Sequence, residues 1–185
     1  MNPLITLRIP ATSANLGSGY DAIGMALSLY NIFKVMEILP SDEFKIEADG
    51  EEATTLVNPD LNLVITSYKK TCERWGVKGP GFSLWSHNII PLSRGLGSSA
   101  GAVCAGVLIA KHLTGYKADN EELLRAMTVI EGHPDNVAPC FLGGMVVSCW
   151  DGTDLRYIRL PALPPEILCV VAVPEEKVST TEARN

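Results

Sequence analysis

Residues 91–101 read Pro-Leu-Ser-Arg-Gly-Leu-Gly-Ser-Ser-Ala-Gly, with three glycines, three serines and no lysine in eleven positions. A stretch of that composition is commonly a flexible connector, but its flanks point elsewhere. Upstream, Phe82-Ser83-Leu84-Trp85-Ser86 alternates apolar and polar residues, the period of a strand, and Ile89-Ile90 extends it toward Pro91. Downstream, Ser99 to Leu113 is long enough for a helix. Ser98 is its expected N-cap, Lys111 and His112 suit its last turn, and Gly115 is its expected stop. The stretch therefore joins a strand to a helix N-terminus.

That junction has a physical use. The first turn of a helix leaves N–H groups unpaired and carries the positive end of the macrodipole, so it attracts anions such as phosphate. Gly95 and Gly97 allow positive φ and close approach of a ligand. Gly101 and Gly106 inside the helix each cost roughly 1 kcal/mol relative to alanine, which suggests close packing against a neighbour or a ligand. Two familiar phosphate loops are excluded by spacing. The glycines at 95, 97 and 101 do not fit G-x-G-x-x-G, and no Lys-Ser/Thr pair follows a glycine as a Walker A loop requires. Phosphate is then expected to be held by backbone and hydroxyl groups, with Mg²⁺ carrying charge and Ser98 and Ser99 as hydroxyl candidates.

The rest of the chain bounds the class. At 185 residues it can form one domain, or one domain and the start of another. A net charge of −6 gives no support to a nucleic-acid surface. Five cysteines with no C-x-x-C spacing read as buried free thiols of a reducing cytosol. No secretory signal and no apolar run of membrane-spanning length is visible, so a cytoplasmic protein is expected.

Strands are expected at 5–9, 32–39 and 44–48, and again at 144–150, 155–160 and 167–173. Asn58-Pro59 is expected to open a helix whose apolar stripe is Leu61, Val64, Ile65, Tyr68, Cys72 and Trp75. Asp119 and Glu122 read as a capping box for a helix burying Leu123, Leu124, Met127 and Ile130. Strict β-α-β alternation is absent, which indicates an α+β domain.

Two further stretches carry unusual chemistry. Pro10-Ala11-Thr12-Ser13-Ala14-Asn15-Leu16-Gly17-Ser18-Gly19-Tyr20-Asp21 follows a strand. It reads either as a turn with local Asn and Asp hydrogen bonds or as a loop presenting Asn15 and Asp21 to a small ligand. Glu131-Gly132-His133-Pro134-Asp135-Asn136 places a carboxylate in the last turn of a helix, where the macrodipole disfavours it. A nearby cation removes that penalty. His133, Asp135 and Asn136 form a dense polar cluster in a Gly/Pro turn.

The stretch at 91–100 resembles the P-x-x-x-G-L-G-S-S-A motif of the GHMP kinase superfamily, and the stretches at 10–21 and 131–139 resemble its homoserine kinase family. The resemblance implies an N-terminal α+β domain of the ribosomal protein S5 domain 2-like type, expected over residues 1–165. Residues 166–185 would begin a ferredoxin-like C-terminal domain that is mostly missing. It implies ATP and Mg²⁺ as cofactors and L-homoserine as the substrate phosphorylated on its side-chain hydroxyl. It implies no nucleic-acid or membrane partner, and it allows a homodimer.

By motif match, Pro91, Leu92, Ser93, Arg94, Gly95, Leu96, Gly97, Ser98, Ser99, Ala100 and Gly101 would wrap the nucleotide phosphates, and Ser99 and Glu131 would ligate Mg²⁺. Asn15, Asp21, His133 and Asp135 would line the homoserine site, with Asp21 facing the ammonium group. Asn136 and Glu131 would be the catalytic residues. Relatives acting on mevalonate or galactose use an aspartate near the position of Asn136 and a basic residue in the first motif. Asn136 takes no proton at neutral pH and residues 10–15 hold no lysine or arginine, so the expectation is phosphoryl transfer by positioning and charge neutralisation without an enzyme base. A kinase for another small alcohol, or a binding module without catalysis, fits the same residues.

Overall fold

The computed structural model describes residues 2–173. A six-stranded sheet is built on β2 (Ile23–Leu39), whose 17 residues reach across the whole domain. β1 (Ile5–Ala14) runs antiparallel along one edge of β2. On the other edge, β4 (Gly81–Asn88) pairs with residues 32–39 and β5 (Met145–Trp150) with residues 23–25, both antiparallel. β3 (Phe44–Gly50) adds to β4 in parallel, and β6 (Leu155–Arg159) closes the far side against β5. A mostly antiparallel sheet with covering helices is the α+β arrangement expected.

The strands alternate buried and exposed residues, which points one face of the sheet at the helices and the other outward. Val35, Phe82 and Leu84 are fully buried from the inner face. The outer face carries Arg8 over the Tyr30 ring at 3.7 Å and Lys34 over the Trp85 ring at 4.5 Å. Four helices supply the second layer: α2 (Leu63–Arg74), α3 (Ser98–Thr114), α4 (Asn120–Glu131) and α5 (Pro134–Leu142). A single turn, α1 (Ala53–Leu56), precedes them. Helix α3 is apolar nearly all round, because it lies between the sheet and α2, α4 and α5.

Several expectations need correction. The helix expected from Asn58-Pro59 starts four residues later, because Asn62 is the cap: its Oδ1 accepts from the N–H groups of Val64 and Ile65. Leu61 therefore lies outside the helix and is 76% exposed. Ser98 is the first residue of α3 and not its cap; Gly97 holds that position in the left-handed region, with φ 66°. Residues 10–14 continue β1 instead of forming a loop after it. Residues 134–136, read as part of a Gly/Pro turn, open a helix instead, α5, with Pro134 in its first turn and Pro139 inside it. Residues 167–173 form no strand, and residues 174–185 of the expected second domain lie outside the described residues. Cys72, Cys104 and Cys140 are buried thiols, but Cys149 and Cys169 are exposed, Cys149 because β5 turns it outward.

Asp119 caps α4 as expected, accepting from the Glu122 N–H at 2.8 Å. The Glu122 carboxylate takes the Tyr116 hydroxyl at 3.2 Å.

The glycines inside α3 have the packing reason their cost suggested. A Cβ on Gly106 would stand 2.5 Å from the Val64 carbonyl oxygen and 2.7 Å from the Ser67 Cβ, so α2 crosses α3 on this bare backbone. Gly106→Ala gains about 1 kcal/mol of helix propensity, but overpacking against backbone costs about 1–3 kcal/mol. The expected outcome is a net loss of stability in urea unfolding. Equal or higher stability would show that the two helices part without cost.

Candidate active site

Three separate stretches of the chain meet at the mouth of α3. Strand β4 ends at Asn88, and the chain turns into the glycine loop under the control of Asn31 on β2. The buried Asn31 Oδ1 accepts from the N–H groups of Ile89 and Ile90 at 2.9 and 3.0 Å. The loop then uses positive φ at Ser93, Gly95 and Gly97 to fold back onto the helix axis. At Gly97 no other residue fits: a Cβ would lie 1.9 Å from the Thr12 Oγ1. Because the cap is a glycine, it offers no side-chain acceptor to the first turn of α3. The first bond of that helix from the loop side runs from the Gly101 N–H to the Gly97 carbonyl at 2.9 Å. The N–H groups of residues 98–100 precede it and have no intrahelical partner. Ser98 and Ser99 line the cleft, so this helix end offers it the positive end of the dipole.

Opposite this positive helix end stands a negative one. α4 terminates at Glu131, with Gly132 in the left-handed region at φ 96°. The Glu131 Oε2 accepts from the Ser99 hydroxyl at 3.0 Å. Burial pushes the Glu131 carboxyl above its ordinary range; the Ser99 hydrogen bond and the nearby His133 pull it down, and Asp135 pushes it further up. A carboxylate in that position sits at the negative end of the helix dipole, which disfavours its charge.

From α5 come the remaining groups. The first turn of this helix lies directly on β2, where the Gly24 Cα leaves no room for a Cβ against the Asp135 carbonyl. Asp135 is buried; its Oδ1 pairs with the His133 Nδ1 and accepts from the Asn136 N–H. Its Oδ2 is buried with no partner among the described residues. The Asn136 Oδ1 accepts from the Thr12 hydroxyl at 2.7 Å.

These elements enclose a cleft of about 620 Å³, within the range of small-molecule sites. Residues 91–99 line it together with Asn15, Glu131, His133 and Asn136. Ala100 and Gly101, expected in the phosphate loop, do not line the cleft; Ala100 is buried behind the loop in the core. Asp135 lies beneath His133 and does not reach the cleft wall. Asp21 is also absent from the lining: its N–H donates to the Asn15 Oδ1 at 2.7 Å in an exposed turn where both residues have positive φ. Among the described residues Arg94 is the one Lys or Arg in the lining, and its Nη1 is buried without a partner there.

Sequence reasoning missed Thr12, Asn31, Asn62 and Asn88 as site residues. The last three line the inner wall of the cleft. A buried asparagine is expensive without partners, so their polarity inside apolar strand and helix patterns was the available signal.

Ser99 and Glu131 present hard oxygen donors at hydrogen-bond distance from each other, a set that suits Mg²⁺ shared with substrate phosphates. No group of three or more His, Cys, Asp or Glu that could hold a metal ion is found among the described residues. No helix among the described residues is long and apolar enough to cross a membrane.

Residues 62–144 match the family described as GHMP kinases N terminal domain. The chain is 44% identical to a homoserine kinase of Carboxydothermus hydrogenoformans, over 98% of the chain and 58% of the relative. The structure of a homoserine kinase from Cytophaga hutchinsonii superposes with a TM-score of 0.75 at 27% identity, covering 100% of this chain and 60% of that one. A mevalonate kinase of Methanococcus jannaschii shares the fold, with a TM-score of 0.65 at 16% identity over 85% of this chain and 56% of that one. The chain spans about three-fifths of the length of the curated relatives it matches.

Because burial raises the Glu131 carboxyl, the folded chain holds this proton to higher pH than the unfolded chain does. Stability therefore falls as pH rises from the unfolded value of about 4.3 through the raised native value, and stays at the lower level above it. Glu131→Gln keeps an acceptor for Ser99 and removes a charge from a helix C-terminus, worth about 0.3–1 kcal/mol. Thermal unfolding of the free protein should give the variant a higher Tm at pH 7 and no advantage below about pH 4. A lower Tm at pH 7 would show that the charge is already compensated.

Proposed function

We propose that the full-length protein transfers the γ-phosphoryl group of MgATP to the side-chain hydroxyl of L-homoserine, giving O-phospho-L-homoserine on the route to threonine, as a cytoplasmic enzyme. On this reading residues 1–165 are the nucleotide-binding domain and 166–185 begin the second one. The observation that carries it is the convergence of an uncapped helix N-terminus, the Ser99–Glu131 pair and Asn136 on one cleft. The relatives named homoserine kinase supply the substrate.

The residues divide the work. The glycine loop and the first turn of α3 bind the phosphates through backbone N–H groups, and Arg94 adds the cationic side chain. Ser99 and Glu131 would hold Mg²⁺, which when bound neutralises phosphate charge. Asn136 and His133 sit on the wall facing the loop, where an acceptor hydroxyl would be aligned. In the transfer, the bond from the homoserine oxygen to the γ-phosphorus forms as the bond to the β,γ-bridging oxygen breaks. The hydroxyl proton leaves to water or to the transferred phosphate, because Asn136 takes no proton. Phosphoryl transfer asks mainly for alignment and electrostatics.

ATP consumption by the full-length gene product should depend on L-homoserine and be weak or absent with mevalonate or galactose. Equal rates with mevalonate would refute the substrate. Gly97→Ala forces a non-glycine residue into the left-handed region, at about 1–2 kcal/mol, and drives its Cβ into Thr12. MgATP affinity by calorimetry should fall by about tenfold or more, and unchanged affinity would remove the loop from the nucleotide site.

A further inference from the structure

One buried polar residue, Thr12, bonds to two walls of the cleft without lining it, through its backbone and its side chain. Thr12 is fully buried in β1, at the place where the register with β2 slips between Pro10 and Thr12. Its N–H donates to the Leu96 carbonyl at 3.0 Å, in the glycine loop. Its hydroxyl donates to the Asn136 Oδ1 at 2.7 Å, on α5. Valine has the same shape and fills such a strand position without burying a hydroxyl, which costs free energy unless hydrogen-bonded. Packing alone therefore does not account for a threonine here.

The consequence lies in the chemistry of a carboxamide, which has one acceptor oxygen and one NH₂ donor on opposite branches. Engaging the oxygen from the protein side turns the NH₂ toward the cleft that Asn136 lines. We propose that Thr12 is a positioning residue that locks the Asn136 carboxamide in one orientation, so that Asn136 meets the substrate as a hydrogen-bond donor. A donor at that point occupies one lone pair of the acceptor hydroxyl oxygen and leaves another for attack on phosphorus. It also selects a substrate oxygen over an ammonium group, which has no lone pair to offer. The role in turnover rests on the kinase reading above; the amide orientation does not.

The test compares Thr12→Val, Thr12→Ser, Asn136→Ala and the double variant Thr12→Val/Asn136→Ala in the full-length gene product. Thr12→Val should lower kcat by about 10- to 100-fold, the scale of a misplaced reactant, with the KM for ATP unchanged. Thr12→Ser should restore activity. The double variant should be no slower than Asn136→Ala alone, because Thr12 acts through Asn136. Wild-type kcat in Thr12→Val, or losses that multiply in the double variant, would overturn the proposal.

A measurement without catalysis, on the folded wild type and Thr12→Val, separates this inference from the kinase reading. With Oδ1 beside Gly97, NMR of the free protein should show no cross-relaxation between the Asn136 Nδ2 protons and the Gly97 Hα protons. In Thr12→Val that contact should appear as the amide flips. Its presence in the wild type would refute the locked orientation, whereas a wild type that ignores L-homoserine would refute the substrate alone.

Discussion

The active-site end of this domain depends on the contact between Thr12 and Gly97. At this point β1, the glycine loop and α5 come together: the Thr12 N–H holds the Leu96 carbonyl, its hydroxyl holds Asn136, and the bare Gly97 Cα permits both. The register slip in β1 belongs to the same arrangement. Thr12 gives its N–H to the loop, which a strand in unbroken register would direct to a neighbouring strand.

Electrostatics then follow from where two helices start and stop. The positive end of α3 and the negative end of α4 face the same cleft, joined by the Ser99–Glu131 hydrogen bond. This arrangement sets an anion attractor beside a carboxylate at a helix C-terminus. On the proposed function, a phosphate with its cation would relieve both together. Burial raises the Glu131 carboxyl, so its charge disfavours the folded state.

Much of this was legible along the chain. The alternation of 82–86 became β4, and the apolar run after Ser98 became α3 with Gly115 as its stop. Gly95 and Gly97 took the positive φ they were read for. The errors share a cause. Residues 134–142 have two prolines and no polar face, so helical periodicity is hidden; they form a helix because they are buried between β1, β2, β5 and their neighbouring helices. Residues 167–173 have strand composition but no pairing partner among the described residues. Asn58-Pro59 looked like a cap, but Asn62 makes the capping bonds.

The sequence by itself determined the local devices: a glycine where positive φ is required, serines at a helix mouth, a carboxylate at the wrong end of a helix, and the absence of a basic residue in the first motif. Each is a property of a few consecutive residues, which is why it can be read from them. Only the tertiary structure decided which devices share a cleft. Asp21 and Asp135, alike in the motif, fall on an exposed turn and beneath His133, while Thr12, silent in the sequence, binds two walls across 124 residues of chain to Asn136. Hydrogen-bond pairing over that separation is set by how a long bent strand and a short buried helix pack, and no local pattern encodes it.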